Sequence, residues 1–251
     1  CGAPEFFSNG TKLLLAQQVQ GRLRPEGVAD LITRRTDLHY PRPRVVTLTQ
    51  ATEFGTVYRV EDIAQIARLC HRQGLKVHMD GARFANAVAA LGASPAEVTW
   101  RAGVDVLCFG GTKMGLPLGE AIVFFNRELA AEFAYRCKQA GQLASKMRYL
   151  SAPWFAVLED GAWLRHARHA NAMASRLAGR IAGIAGITLS VPVEANAVFA
   201  TLPNELNEGL RARGWAFYTF IGGGARFMCS WNTQQSALDA LVSELESLAA
   251  R

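Results

Sequence analysis

The chain has 251 residues, half of them apolar and 19% charged, an ordinary globular composition with room for one large or two modest domains. No apolar run approaches the ~18 residues of a membrane span, and the start does not read as a signal peptide. The net charge of +6 comes from arginines spread along the chain, without the basic stripe and interleaved aromatics of a nucleic-acid binder. Neither membrane nor nucleic acid is expected as a partner; an anionic small ligand fits the charge.

The opening stretch, "CGAPEFFSNGTKLL", reads as loop. Pro25 to Arg35 carries a short helix pattern with proline at its start. "RVVTLTQ" (Arg44–Gln50) is β-branched and continuous, which predicts a strand buried on both faces. "VEDIAQIARLCHRQG" (Val60–Gly74) has helical apolar spacing, early acids, late bases and a closing glycine. Strand, helix, strand, strand then follow at Leu75–Asp80, Ala82–Leu91, Val104–Phe109 and Glu120–Asn126. Strands alternating with helices predict a mostly parallel α/β sheet with flanking helices, whose ligands bind beyond the strand carboxyl ends.

After Pro153 the pattern changes. One long helical stretch runs to about Gly183, interrupted at Gly161. Short strands at Ile187–Val191, Ala197–Leu202, Ala216–Phe220 and Ala225–Ser230 surround a helix near Glu205–Arg213, and a last helix starts at Gln234. This predicts a large domain over 1–152 and a small α+β domain over 153–251. The five cysteines (Cys1, Cys70, Cys108, Cys137, Cys229) show no CxxC spacing, which points to a reducing, cytoplasmic setting without structural zinc. His166 and His169 stand at i and i+3 without an acid at ligand spacing, so they read as a solvated face and no metal is expected.

Two strand ends carry chemistry. "VDVLCFGGTKMG" runs a buried strand into two glycines, Thr112 and Lys113. It is not a P-loop, whose G-x-x-x-x-G-K-[ST] spacing is absent. The glycines would let backbone approach a flat ligand, Thr112 offers a hydroxyl, and a desolvated lysine forms Schiff bases with carbonyl compounds. On its own Lys113 reads equally as an exposed loop lysine. In "VHMDGAR", Asp80 ends a strand just before a helix; it is either a helix N-cap or a carboxylate paired with a pyridinium nitrogen. A carboxylate at one strand end and a Schiff-base lysine at a later one together suit pyridoxal 5'-phosphate.

"HMDGARFANA" and "VDVLCFGGTKMG", with "DLHYPRPRVVTLTQATEFGTVY", "RCKQAGQLASKMR" and "FYTFIGGGARFMCSWNT", resemble the low-specificity L-threonine and phenylserine aldolases. These are fold-type-I pyridoxal-phosphate enzymes of the aromatic-amino-acid β-eliminating lyase and threonine aldolase family. The resemblance implies that Lys113 carries the cofactor, Asp80 pairs with its ring nitrogen, and Arg83 lies near the phenolic oxygen and the substrate carboxylate. Arg226 would complete the carboxylate clamp, a bidentate task suited to a guanidinium, with neighbouring glycines leaving room. His39 matches the position that handles the substrate β-hydroxyl, and Lys138 one that reaches a neighbouring subunit's cofactor phosphate.

The implied activity is cleavage of threonine, allo-threonine or phenylserine to glycine and an aldehyde, by a homodimer or homotetramer acting on a small amino acid. Family members begin upstream of Cys1, in a part that holds a phosphate-cradling loop and a histidine stacked on the ring. The large domain is therefore expected to be N-terminally incomplete. A β-eliminating lyase, or a catalytically incomplete fragment, is the alternative.

Overall fold

The computed structural model describes residues 2–219 and 223–250. Residues 1, 220–222 (within the "FIGGGARF" stretch) and 251 lie outside the described residues. In chain order, a short helix α1 (Ala3–Phe7) replaces the expected loop, and a small hairpin, β1 (Gln18–Val19) and β2 (Arg22–Leu23), leads into α2 (Pro25–Thr33). The main sheet follows: β3 (Val45–Thr49), α3 (Val60–Arg72), β4 (Lys76–Gly81), α4 (Phe84–Leu91), α5 (Pro95–Val98), β5 (Val106–Gly110) and β6 (Glu120–Phe124). Then come α6 (Phe133–Gln139), α7 (Arg148–Glu159) and α8 (Ala162–Ile181). The small unit comprises β7 (Thr188–Leu189), β8 (Ala197–Thr201), α9 (Asn204–Ala212), β9 (Tyr218–Thr219), β10 (Ala225–Met228) and α10 (Gln235–Ala249).

The main sheet has the order β3-β4-β5-β6, parallel except for the last pair. Its inner face, with Leu48, Val77, Met79, Leu107 and Phe109, packs in one core with Ile63, Ile66 and Cys70 of α3 and Phe84 and Val88 of α4. The other face carries Val45, Thr47, His78, Cys108 and Ile122, which stay outside that core. Val45 is 55% exposed, so β3 is an edge strand with one open face, not the doubly buried strand its β-branched run suggests. Periodicity of a uniformly β-branched run cannot separate the two cases.

Two helix boundaries also differ from expectation. The long stretch begins at Arg148, five residues before Pro153, which sits inside α7 at the cost of one backbone donor. At Gly161 it breaks: the backbone turns left-handed at φ 70°, and Asp160 Oδ1 accepts from the Ala162 N–H at 2.7 Å to start α8. The α8 helix then serves both cores. Trp163 and Ala167 belong to the core of the main sheet, whereas Ala174, Leu177 and Ile181 pack with Val198, Leu210, Phe227 and Leu245 of the small antiparallel unit.

Candidate active site

Parallel register aligns the carboxyl ends of β3, β4 and β5. Thr49 lies opposite Asp80, and Asp80 opposite Cys108. Beyond β5, Gly111 opens a single 3-10 turn, Thr112–Met114, that carries Lys113. Asp80 does not cap a helix: its Oδ1 accepts from the Ala82 N–H at 3.0 Å, closing a tight turn, and α4 starts only at Phe84 after Arg83. The turn throws Arg83 over the sheet edge. Arg226 arrives from β10 of the small unit, where it pairs with Phe199 and Tyr218 in register.

These four residues meet. Asp80, Arg83, Lys113 and Arg226 line one cavity of about 250 Å³, together with Thr49 and Glu53. Thr49 and Glu53 are pocket residues the sequence reading missed; Thr49 was findable, because it ends the strand beside Asp80. The loop after Thr49 is held by buried Gln50, whose amide donates to the Tyr58 carbonyl and accepts from the Tyr58 N–H, both at 3.0 Å. Glu194 of the small unit ties the same loop by accepting from the Val57 N–H at 2.7 Å.

The electrostatics of the pocket are anion-seeking. Burial first, and then the nearby Arg226 guanidinium, push Arg83 below the usual arginine range, while Glu53 and Asp80 oppose the shift. Arg83 Nε is buried and makes no hydrogen bond to the described residues. Three cationic side chains, Arg83, Arg226 and Lys113, against two carboxylates, Glu53 and Asp80, leave the cavity net positive, which fits a carboxylate or phosphate. A wider groove of about 350 Å³ between α2 and α3 holds Arg68 and Arg72 but no comparable convergence.

The remaining candidates lie elsewhere. His39 is exposed on the irregular segment after α2, its backbone N–H donating to Asp37 Oδ1 at 3.0 Å, outside the pocket lining. Thr112 is exposed and its hydroxyl donates to Glu120 Oε1 at 3.3 Å. Lys138 is exposed on α6. Lys113 itself is exposed rather than buried, and lines the cavity from its mouth. The two glycines before it accommodate the protein, not a ligand: a Cβ on Gly110 would lie 2.7 Å from the Ala82 Cα, and one on Gly111 2.5 Å from the Gly119 carbonyl oxygen. His169 is exposed, as a solvated face requires, whereas His166 is half-buried; each ring bonds a backbone carbonyl. Among the described residues no cluster suited to a metal ion occurs.

Known proteins identify the family of this chain. The family described as beta-eliminating lyase matches residues 1–204. A low specificity L-threonine aldolase of Pseudomonas aeruginosa is 62% identical over 246 residues, covering 98% of this chain and 71% of that protein. Another of that name, from a Pseudomonas sp., is 59% identical over 249 residues, 99% of this chain and 72% of its own. The chain belongs to the low-specificity L-threonine aldolase family, within the beta-eliminating lyases.

The structure of a Leishmania major threonine aldolase superposes with a TM-score of 0.89 at 26% identity, covering 96% of this chain and 72% of that one. The α/β sheet and small antiparallel unit of this aldolase-family chain are those of pyridoxal-phosphate fold type I, and its cofactor is pyridoxal 5'-phosphate. The pocket fits that group: an amine for its aldehyde, a carboxylate at a strand end for its ring nitrogen, and an orphaned buried guanidinium nitrogen on Arg83 for an anionic oxygen.

Proposed function

We propose that this chain is a pyridoxal-phosphate aldolase that splits β-hydroxy-α-amino acids of the threonine, allo-threonine or phenylserine type into glycine and an aldehyde. The observation that carries it is the convergence of Lys113 and Asp80 with Arg83 and Arg226 in one cavity. Pyridoxal phosphate, when bound, supplies a carbonyl for amines and a ring that withdraws electrons from the breaking bond. Lys113 is the chain's own amine for that carbonyl. Asp80 would pair with the ring nitrogen and keep a proton there, favouring electron withdrawal.

Arg83 and Arg226 hold the substrate carboxylate from two sides, which fixes the orientation of the Cα–Cβ bond. The role of His39 in taking the β-hydroxyl proton comes with the family resemblance; within the pocket the reading rests on the other four residues. The division into a cofactor-binding part, 1–152, and a small part, 153–251, belongs to this reading. So does assembly into a homodimer or homotetramer. Helices α6 and α7 bury no residue; Tyr135 stands exposed on the α6 that carries Lys138, and Tyr149 and Phe155 stand exposed on α7, which suits contact with a second copy and its cofactor phosphate.

A cytoplasmic setting agrees with four free cysteines among the described residues and with no helix there long and apolar enough to cross a membrane. The test is product analysis with L-threonine and pyridoxal phosphate. Glycine and acetaldehyde support an aldolase, whereas 2-oxobutyrate with ammonia would assign a β-eliminating lyase.

A further inference from the structure

Lys113 sits on one 3-10 turn, whose own bonds are few: Gly115 N–H to the Thr112 carbonyl at 3.3 Å, and Met114 and Leu116 N–H to the Gly111 carbonyl at 3.1 and 3.2 Å. A turn that short does not fix a long side chain by itself. The structure supplies an outside support from α8. His166 donates its Nδ1–H to the Met114 carbonyl at 2.8 Å; a carbonyl only accepts, so that nitrogen carries the proton.

The next residue is shaped against the same ring. Gly115 turns at φ +111°, and a Cβ there would lie 2.9 Å from His166 Nδ1. Trp231 of the small unit stacks against the same ring, centroids 5.4 Å apart and planes at 31°, and its Cδ2 would lie 3.6 Å from that Gly115 Cβ. One turn further along α8, His169 Nε2–H donates to the Thr233 carbonyl at 2.8 Å. Further still, Asn171 and Asn86 exchange bonds of 2.9 and 3.0 Å, which ties α8 to the helix that follows Arg83. Helix α8 thus grips the three segments that bring Lys113, Arg83 and Arg226 to the pocket: the lysine turn, α4, and the loop that leaves β10.

We propose that His166 is the positioning residue of Lys113. Its Nδ1–H holds the Met114 carbonyl, and Trp231 clamps the ring, so the Lys113 amine keeps its place relative to the arginine pair supplied by two units. The proposal rests on the reading of Lys113 as the cofactor lysine.

Three variants test it. His166→Asn keeps an amide N–H near the Nδ1 position, His166→Leu fills the space without a donor, and Trp231→Leu removes only the clamp from a half-exposed site. Amide exchange at Met114, Gly115 and Leu116 is followed without cofactor, and borohydride trapping of pyridoxal phosphate on Lys113 is timed separately. His166→Leu is expected to speed exchange at those amides about five- to tenfold, the scale of one lost hydrogen bond, and to slow trapping by a similar factor. His166→Asn should stay within about twofold of the native chain on both, and Trp231→Leu should fall between.

Unchanged exchange and trapping in His166→Leu would overturn the proposal. So would His166→Asn behaving like His166→Leu, or exchange rising equally across both sheets. Should His166→Leu not fold, Trp231→Leu decides: native-like exchange and trapping in it refute the clamp. If the native chain takes no label at Lys113, the cofactor reading falls, while exchange still reports whether His166 holds the turn.

Discussion

Arg83 and Arg226 come from different sheets, one after the carboxyl end of β4 and one from β10, yet they line one pocket, where burial first and the Arg226 guanidinium second push Arg83 below the usual arginine range. Such a like-charge pair is stabilised when an anion bridges it. Replacing either by glutamine should lower kcat/KM for the amino acid about 10- to 100-fold, the range of one charge-assisted hydrogen-bonded contact. Arg226→Lys should recover little, because a point charge does not reproduce the planar fork. Steady-state kinetics with L-threonine check both.

Gly110 makes a second prediction. A Cβ there would press on the Ala82 backbone, at 2.7 Å from its Cα and 2.8 Å from its oxygen, and backbone cannot yield as a flexible side chain does. Gly110→Ala should therefore cost about 1–3 kcal/mol of stability. It should also displace the turn between Asp80 and Arg83, so activity falls more than stability alone would require. Urea unfolding beside kinetics at matched folded fraction separates the two effects.

Much of this was legible in the chain. Asp80 and Lys113 could be read as strand-end residues because β4 and β5 announce themselves by apolar runs and because parallel strands aim their carboxyl ends the same way. Four of the named site residues do meet. His39 was not placeable from sequence, since it sits on an irregular segment whose path depends on contacts and not on periodicity. The roles of His166 and His169 were hidden for a related reason: their partners are backbone carbonyls distant in sequence, which no side-chain spacing reveals. Glu53 is similar, a loop acid brought to the pocket by the Gln50–Tyr58 and Glu194–Val57 bonds.

At the opposite end of β5 from the pocket, Asp105 is a buried carboxylate with a structural task. It accepts from the Val77 N–H at 2.8 Å and from His71 Nε2 at 2.9 Å, with Lys76 Nζ at 3.8 Å. Burial pushes its pKa up, but the Val77 N–H, His71 and Lys76 together outweigh burial and hold it below the ordinary 3.8. The folded state therefore binds this proton less readily than the unfolded chain. The stability it contributes is present above about pH 4 and is lost as pH falls through the lower folded value. Asp105→Ala should cost about 1–3 kcal/mol at pH 7 and flatten the loss of stability as pH falls below about 4, read as urea midpoints across that range.

Lys113→Ala should cut turnover by at least about a thousandfold while leaving the fold intact, because the exposed side chain adds little packing. Circular dichroism and thermal unfolding close to those of the native chain would confirm that the loss is chemical.

The most direct measurement is to mix the purified chain with pyridoxal phosphate, reduce with borohydride, and map the labelled peptide. The account predicts one label per chain, on Lys113, absent from Lys113→Ala. A label on another lysine, or none on a chain that nonetheless cleaves L-threonine to glycine, would contradict it.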